Sequence, residues 1–173
     1  DVGALIEASG AKRCMLVAHD WGAAIAWCAA AAYPGLIEKM VIANVPHPRV
    51  FRRTLFTSVR QMMASWYIFF FQSPWIPEWM LSRNNFAGLV KAMVDTANLG
   101  SFTPADMKGY QAAWRNSGLT SMIRYYRAAM RYQDIESTDT ITVPTLILWG
   151  KKDHALTHPM ATKSLDFCTD GQL

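Results

Sequence analysis

The stretch Cys14-Met-Leu-Val-Ala-His-Asp-Trp-Gly-Ala23 constrains this chain more than any other. Cys14 to Ala18 is a short, nearly unbroken apolar run, the pattern of a strand buried on both faces. Ala23 to Tyr33 reads as a helix of small residues, closed by Pro34-Gly35. Between them Asp20 stands where the strand must turn into the helix. Two roles compete for it. It could be the helix N-cap, a role common for Asp and worth about 1 kcal/mol. It could instead be a nucleophile, held out by a turn that the small residues Ala18, Gly22 and Ala23 allow to be tight.

The rest of the chain supplies the frame. Val2, Leu5, Ile6 and Ala8 have helical spacing, and Gly10 ends that helix as a C-cap would. Met40 to Ala43 is a second buried strand, followed by Asn44-Val-Pro-His-Pro48. Helix, strand, helix and strand with short joins are the signature of a parallel sheet in an α/β fold. From Arg49 to about Thr138 the pattern is helical and aromatic, punctuated by Pro74, Pro77, Gly100, Pro104 and Gly118. Strand character returns at Thr145 to Trp149, ended by Gly150, and a helix follows from about Met160. The expected organisation is a sheet core in residues 1–48, an all-helical lid in 49–138, and a second part of the core in 139–173.

Composition excludes several classes. With 51% hydrophobic and 17% charged residues in 173, the chain suits one packed domain rather than a disordered tail. Its net charge of +4 is scattered, which argues against a nucleic-acid partner. Cys14, Cys28 and Cys168 lie far apart with no histidines at ligand spacing, so no metal site is expected. A reducing compartment, cytoplasmic or at the endoplasmic reticulum membrane, fits them. The apolar aromatic stretch Trp66 to Phe71 is interrupted by Gln72, Ser73 and Pro74, and falls short of the roughly 20 residues a membrane span needs. No signal peptide is visible. The chain lacks an initiator methionine and begins within a helix, so it reads as a piece of a longer protein.

An aspartate that attacks saturated carbon leaves an alkyl ester on itself. Such a nucleophile needs a base, an acid to orient the base, and a donor to the leaving atom. "LILWGKKDHAL" places Asp153 just past a strand, where such an acid would sit; an ordinary loop aspartate after Gly150 is the competing reading. His47, between Pro46 and Pro48, sits in a rigid turn and is rejected as the base. His19 and His154 read as local packing or surface residues, and His158 as a helix-entry residue.

"AHDWGA", "NVPHP", "YIFFFQSPWIPE", "YYR" and "LWGKKD", in that order across the whole chain, resemble the epoxide hydrolases of the α/β-hydrolase superfamily. The elbow alone is shared with haloalkane dehalogenases, and the lid stretches are the more specific part; the family usually has glycine where this chain has Ala18. The resemblance implies a partial α/β-hydrolase fold, a parallel sheet with flanking helices and an inserted all-helical lid. It implies Asp20 as nucleophile, Asp153 as the acid, and Tyr67 and Tyr126 as donors to the epoxide oxygen. Tyr125 is the alternative to Tyr126, because neighbours on a helix diverge by about 100 degrees. Trp21 would give a backbone N–H to the oxyanion hole, and Trp66, Phe70 and Trp75 would line an apolar site. The implied partners are a lipophilic epoxide and water, with no cofactor; any membrane anchor would lie upstream. The base histidine and the second oxyanion donor are expected outside these residues, so this piece alone is expected not to turn over. Two other readings stand beside this one: a haloalkane dehalogenase with Trp21 and a lid tryptophan such as Trp66 or Trp75 as halide donors, and a non-catalytic binding member of the fold.

Overall fold

A computed structural model describes residues 1–131 and 140–173. The elements are α1 (Val2–Ala8), β1 (Cys14–His19), α2 (Asp20–Ala32), a 3₁₀ turn (Pro34–Leu36), β2 (Ile37–Ala43), α3 (Pro48–Thr57), α4 (Val59–Ala64) and α5 (Trp66–Phe70). They continue with α6 (Ile76–Thr96), α7 (Pro104–Ser117), α8 (Thr120–Arg131), β3 (Thr145–Leu148), α9 (Pro159–Leu165) and β4 (Gly171–Gln172). The chain divides into two compact units, Asp1–Ser65 with Gln133–Leu173, and Trp66–Tyr132.

The first unit is an α/β layer. Its four-stranded sheet has the order β1-β2-β3-β4, with every pairing parallel. Register places Leu16 and Ala18 beside Met40 and Ile42, and these beside Thr145 and Ile147, on one face. α2 covers that face with Ala23, Ala26, Trp27 and Ala30, spaced i, i+3, i+4 and i+7. Alanine at three of those positions lets the helix lie close to the strands, and Trp27 fills the space between them, fully buried. Truncating Trp27 to alanine would cost about 3–5 kcal/mol.

The other face corrects the expectation for β1. Met15 and Val17 are 69% and 73% exposed, and Leu146 and Leu148 of β3 are also open. Successive strand residues point to opposite faces, so these side chains share the face of the sheet away from α2.

Two further differences concern boundaries. The helix expected from about Met160 is followed by one more short strand, in which Gly171–Gln172 pair with Thr145 and Leu146. A Cβ on Gly171 would come within 2.8 Å of the Cys168 Cβ, so only glycine fits that approach. Residues 49–65, read from sequence with the helical insertion, fall in the first unit, where Val50 of α3 and Leu55 are buried. The expected lid end at Thr138 lies outside the described residues.

The second unit is all helical. Its apolar cluster gathers Phe86, Trp114, Leu119 and Ile123, with Phe71, Leu81, Leu89, Val90 and Met93 against it. α6 is broken at Arg83 to Phe86, where three successive residues turn left-handed. That turn carries Phe86 onto Trp114, with ring centroids 5.6 Å apart. Thr103 and Asp106 open α7 with a reciprocal capping box.

Candidate active site

Asp20 sits at the carboxyl end of β1, as the first residue of α2, with φ of +52°. The N-cap of the helix is His19, whose side chain makes no capping bond. The carboxylate of Asp20 is exposed and has no hydrogen-bond partner among the described residues. The capping role allowed by the sequence is thus not the one observed. A left-handed φ costs a non-glycine residue about 1–2 kcal/mol, although Asp tolerates it better than most. The strain holds the side chain out at a sharp strand-to-helix turn, at the positive end of the helix dipole. Ala23 is fully buried, whereas a Cβ on Gly22 would meet nothing within 4 Å. Space at this turn is therefore needed at Ala23 and not at Gly22. Trp21 follows, half-buried, at the second position of α2.

Asp153 lies past the carboxyl end of β3, in a loop held at both ends. Its Oδ1 accepts N–H bonds from Ala155 at 2.7 Å and Leu156 at 2.8 Å. Its Oδ2 accepts from the carboxamide of Asn44, and its own N–H donates to the Gly150 carbonyl at 3.0 Å. Further along, the Gln61 amide of α4 donates to the Ala155 carbonyl at 2.7 Å and accepts the Thr157 N–H at 3.0 Å. Gln61 is fully buried. Asp20 and Asp153 thus end strands that lie two apart in one parallel sheet, a span of roughly 10 Å. The carboxyl edge of such a sheet is where open α/β folds place their sites.

His47 is fully buried and accepts the Arg49 N–H. Its ring stacks on Phe167 at 4.2 Å and meets the edge of Trp27 at 5.4 Å, while its backbone N–H donates to Ser164 Oγ. This is a rivet between α2, α3 and α9. His19 and His154 are exposed, and His158 enters α9.

In the second unit, Tyr67 of α5 and Tyr126 of α8 are neighbours, with ring centroids 5.7 Å apart and planes at 82°. Phe71 packs on both. Tyr125 is 50% exposed, and the ring pair in contact is Tyr67 with Tyr126. Arg127 fastens the surroundings. It donates to the carbonyls of Phe71 and Ser73 and forms a two-pronged ion pair with Glu78 at 2.7 and 3.1 Å. Arg127 hydrogen bonding holds the Glu78 carboxyl below its ordinary range. Gln72 donates to the carbonyls of Ile68 and Tyr126, tying α5 to α8. Phe70 is half-buried beside Trp66, at 5.8 Å; Trp66 and Trp75 are themselves exposed, Trp75 to 81%.

Burial pushes the Cys28 thiol up and that of Cys168 to about 11. Among the described residues no group of three or more His, Cys, Asp or Glu is placed to hold a metal ion, and no helix is long and apolar enough to cross a membrane.

Asn44, Gln61, Gln72 and Glu78 carry geometry that sequence reading did not assign. A polar amide inside apolar α4 was the only signal for Gln61, and Asn directly after a strand the signal for Asn44.

A parallel sheet with its strained aspartate at one strand end and a bonded aspartate two strands away defines a member of the α/β hydrolase fold family, whose model matches residues 1–170; the chain belongs to that family. Within it, the chain is 37% identical to epoxide hydrolase 3 of Mus musculus, covering 90% of this chain and 42% of that protein. It is 34% identical to the AB hydrolase superfamily protein YfhM of Bacillus subtilis, covering 100% of this chain and 61% of that one. A crystal structure of an epoxide hydrolase variant from Bacillus megaterium, complexed with its naphthyloxy-propanediol product, matches with a TM-score of 0.86. Identity there is 30%, over 99% of this chain and 64% of that chain. The chain therefore spans between about two fifths and two thirds of the length of these relatives.

Proposed function

We propose that this chain carries the nucleophile, the acid and the lid phenols of an epoxide hydrolase that turns apolar epoxides into vicinal diols. Asp20 attacks an epoxide carbon, forming a carbon–oxygen ester bond as the ring carbon–oxygen bond breaks. The ring oxygen takes a proton from Tyr67 or Tyr126, the other phenol donating a hydrogen bond to it. Water then adds to the Asp20 ester carbonyl, giving its proton to a base oriented by Asp153. As the tetrahedral intermediate collapses, the base gives its proton to the departing oxygen, one of the original carboxylate oxygens. The second water proton restores the phenol; the diol leaves and the carboxylate keeps the oxygen of water. The Trp21 N–H steadies the tetrahedral oxyanion of this second step. In this reading the base is a histidine.

The observation that carries this reading is the strained Asp20 at the end of β1, whose carboxylate has no hydrogen-bond partner among the described residues. An aspartate that served only the helix would hydrogen-bond its first turn. The tyrosine pair favours epoxide opening over dehalogenation, since departing halide needs no phenol, and the two relatives named as epoxide hydrolases agree. Trp66, Phe70 and Trp75 are assigned to the apolar substrate, and residues 66–132 to the lid that holds it.

One turnover of the whole protein in heavy-oxygen water tests the nucleophile. The label should enter Asp20 and be missing from the first diol. Label in the diol with none on Asp20 would refute covalent attack. Replacing both Tyr67 and Tyr126 with Phe should slow ester formation by about 10²- to 10⁴-fold.

A further inference from the structure

Asp153 is held by more than its own loop. Asn44, directly after β2, has φ of +54° and continues the sheet by donating its backbone N–H to the Leu148 carbonyl at 2.9 Å. Its side chain then bridges two points of the loop that follows β3. Oδ1 accepts the Gly150 N–H at 3.0 Å, and Nδ2 donates to Asp153 Oδ2. A Cβ on Gly150 would come to 3.3 Å from Asn44 Nδ2, so glycine leaves room for the amide to lie across the turn.

Lone-pair counting gives this contact a consequence. A carboxylate offers about four acceptor positions, two on each oxygen. Ala155 and Leu156 fill both on Oδ1 of Asp153, and Asn44 fills one on Oδ2. The position left open is on Oδ2, beside Asn44.

We propose that Asn44 is a positioning residue for Asp153, turning its carboxylate so that a single Oδ2 lone pair receives the N–H of the base. This rests on the epoxide hydrolase reading above. It assigns Asn44 to one half of the reaction. Ester formation needs Asp20 and the phenols; ester hydrolysis needs the base that Asp153 orients. Loss of the Asn44 amide slows the second step and spares the first.

The test compares the whole protein with its Asn44→Gly and Asn44→Asp variants. Glycine adopts a left-handed φ freely, so Asn44→Gly removes the amide without adding backbone strain. Asn44→Asp keeps an acceptor for Gly150 but sets a second carboxylate against Asp153 in place of the donor, so it should slow hydrolysis at least as much as Asn44→Gly. Styrene oxide is mixed with excess protein, the reaction is quenched over time, and ester on the Asp20 peptide is weighed by mass spectrometry. Ester formation should stay within about twofold, while hydrolysis slows by about 10- to 100-fold, the usual effect of losing an outer hydrogen-bond partner. Both kcat and KM then fall, and ester accumulates at steady state. Unchanged hydrolysis in Asn44→Gly would overturn the proposal, as would equal slowing of both steps with a lowered Tm, the mark of a merely structural role. If the unsubstituted protein forms no ester on Asp20, the nucleophile reading fails first and Asn44 falls with it.

Discussion

Left-handed backbone at non-glycine residues occurs in both compact units, and for different ends. In the first unit it marks strand termini, at Asp20 after β1 and Asn44 after β2. In the second it starts α6 at Trp75 and breaks it at Asn84, Asn85 and Phe86. The Asn84–Phe86 break is tied down by local contacts: Asn85 accepts Arg115 through Oδ1 and Gln111 through its carbonyl, both at 2.7 Å, and Phe86 is buried on Trp114. Asp20 has no such return among the described residues. Compensated strain shapes a fold; uncompensated strain points to a side chain kept for chemistry. The units also differ in what holds them. The first has a sheet and a continuous core built on Trp27, Ile37, Met40, Ile42 and Ile147. The second has a smaller cluster, and its α5–α8 face depends on Arg127, Glu78 and Gln72.

The largest effect should come from cutting that dependence. Arg127→Met strands the Glu78 carboxylate and the carbonyls of Phe71 and Ser73, side chains of the ion pair being only 15% and 20% exposed. The expected loss is about 3 kcal/mol in the second unit. Amide hydrogen exchange should rise across α5 and α8 while β1 to β3 keep their protection. Equal loss of protection in the sheet would break the distinction between the units.

A smaller effect tests the two kinds of strain with one substitution. Glycine at position 20 relieves the left-handed φ and removes a side chain with no hydrogen bond among the described residues; stability should rise by up to about 1 kcal/mol. Glycine at position 85 gains the same backbone relief but loses the exposed Arg115 bond, worth about 1 kcal/mol, so the two nearly cancel. The denaturant midpoint of Asp20→Gly should therefore rise while that of Asn85→Gly stays near its starting value. An equal rise in both would remove the strain argument for Asp20.

Much of this frame was legible in the chain. Apolar runs at Cys14, Met40 and Thr145 found three strands of a parallel sheet, and Pro34-Gly35 found the end of α2, because those signals are local. The junction residue Asp20 was legible as an oddity, though only φ separates a cap from a strained turn. What sequence concealed was set by distant partners. The open face of β1 depends on what packs there, not on the run itself. Asn44 meets Asp153 across 109 positions, and Gln61 meets Ala155 across 94, so no periodicity could report either. The left-handed break at Asn84-Asn85-Phe86 sits inside a stretch that reads as helix, and Phe86 accepts it only because Trp114 buries it.

The smallest effect separates the units by pH. Arg127 hydrogen bonds favour the ionised form of Glu78, so its folded pKa lies below the ordinary 4.5. The unfolded chain then takes up the proton at higher pH than the folded one does. The stabilisation is fully present above about pH 4.5, shrinks as pH falls through the lowered folded value, and is gone below it. Asp106, lowered by its bonds with Thr103, adds to the same acid sensitivity at the start of α7. Protection against hydrogen exchange in α5 and α8 should fall relative to β1–β3 as pH drops below about 4.5, over a window that Glu78→Gln narrows. The substitution keeps the shape of the side chain and removes its titration. If Glu78→Gln leaves the pH profile of α5 and α8 unchanged, the ion pair is not what steadies the tyrosine face.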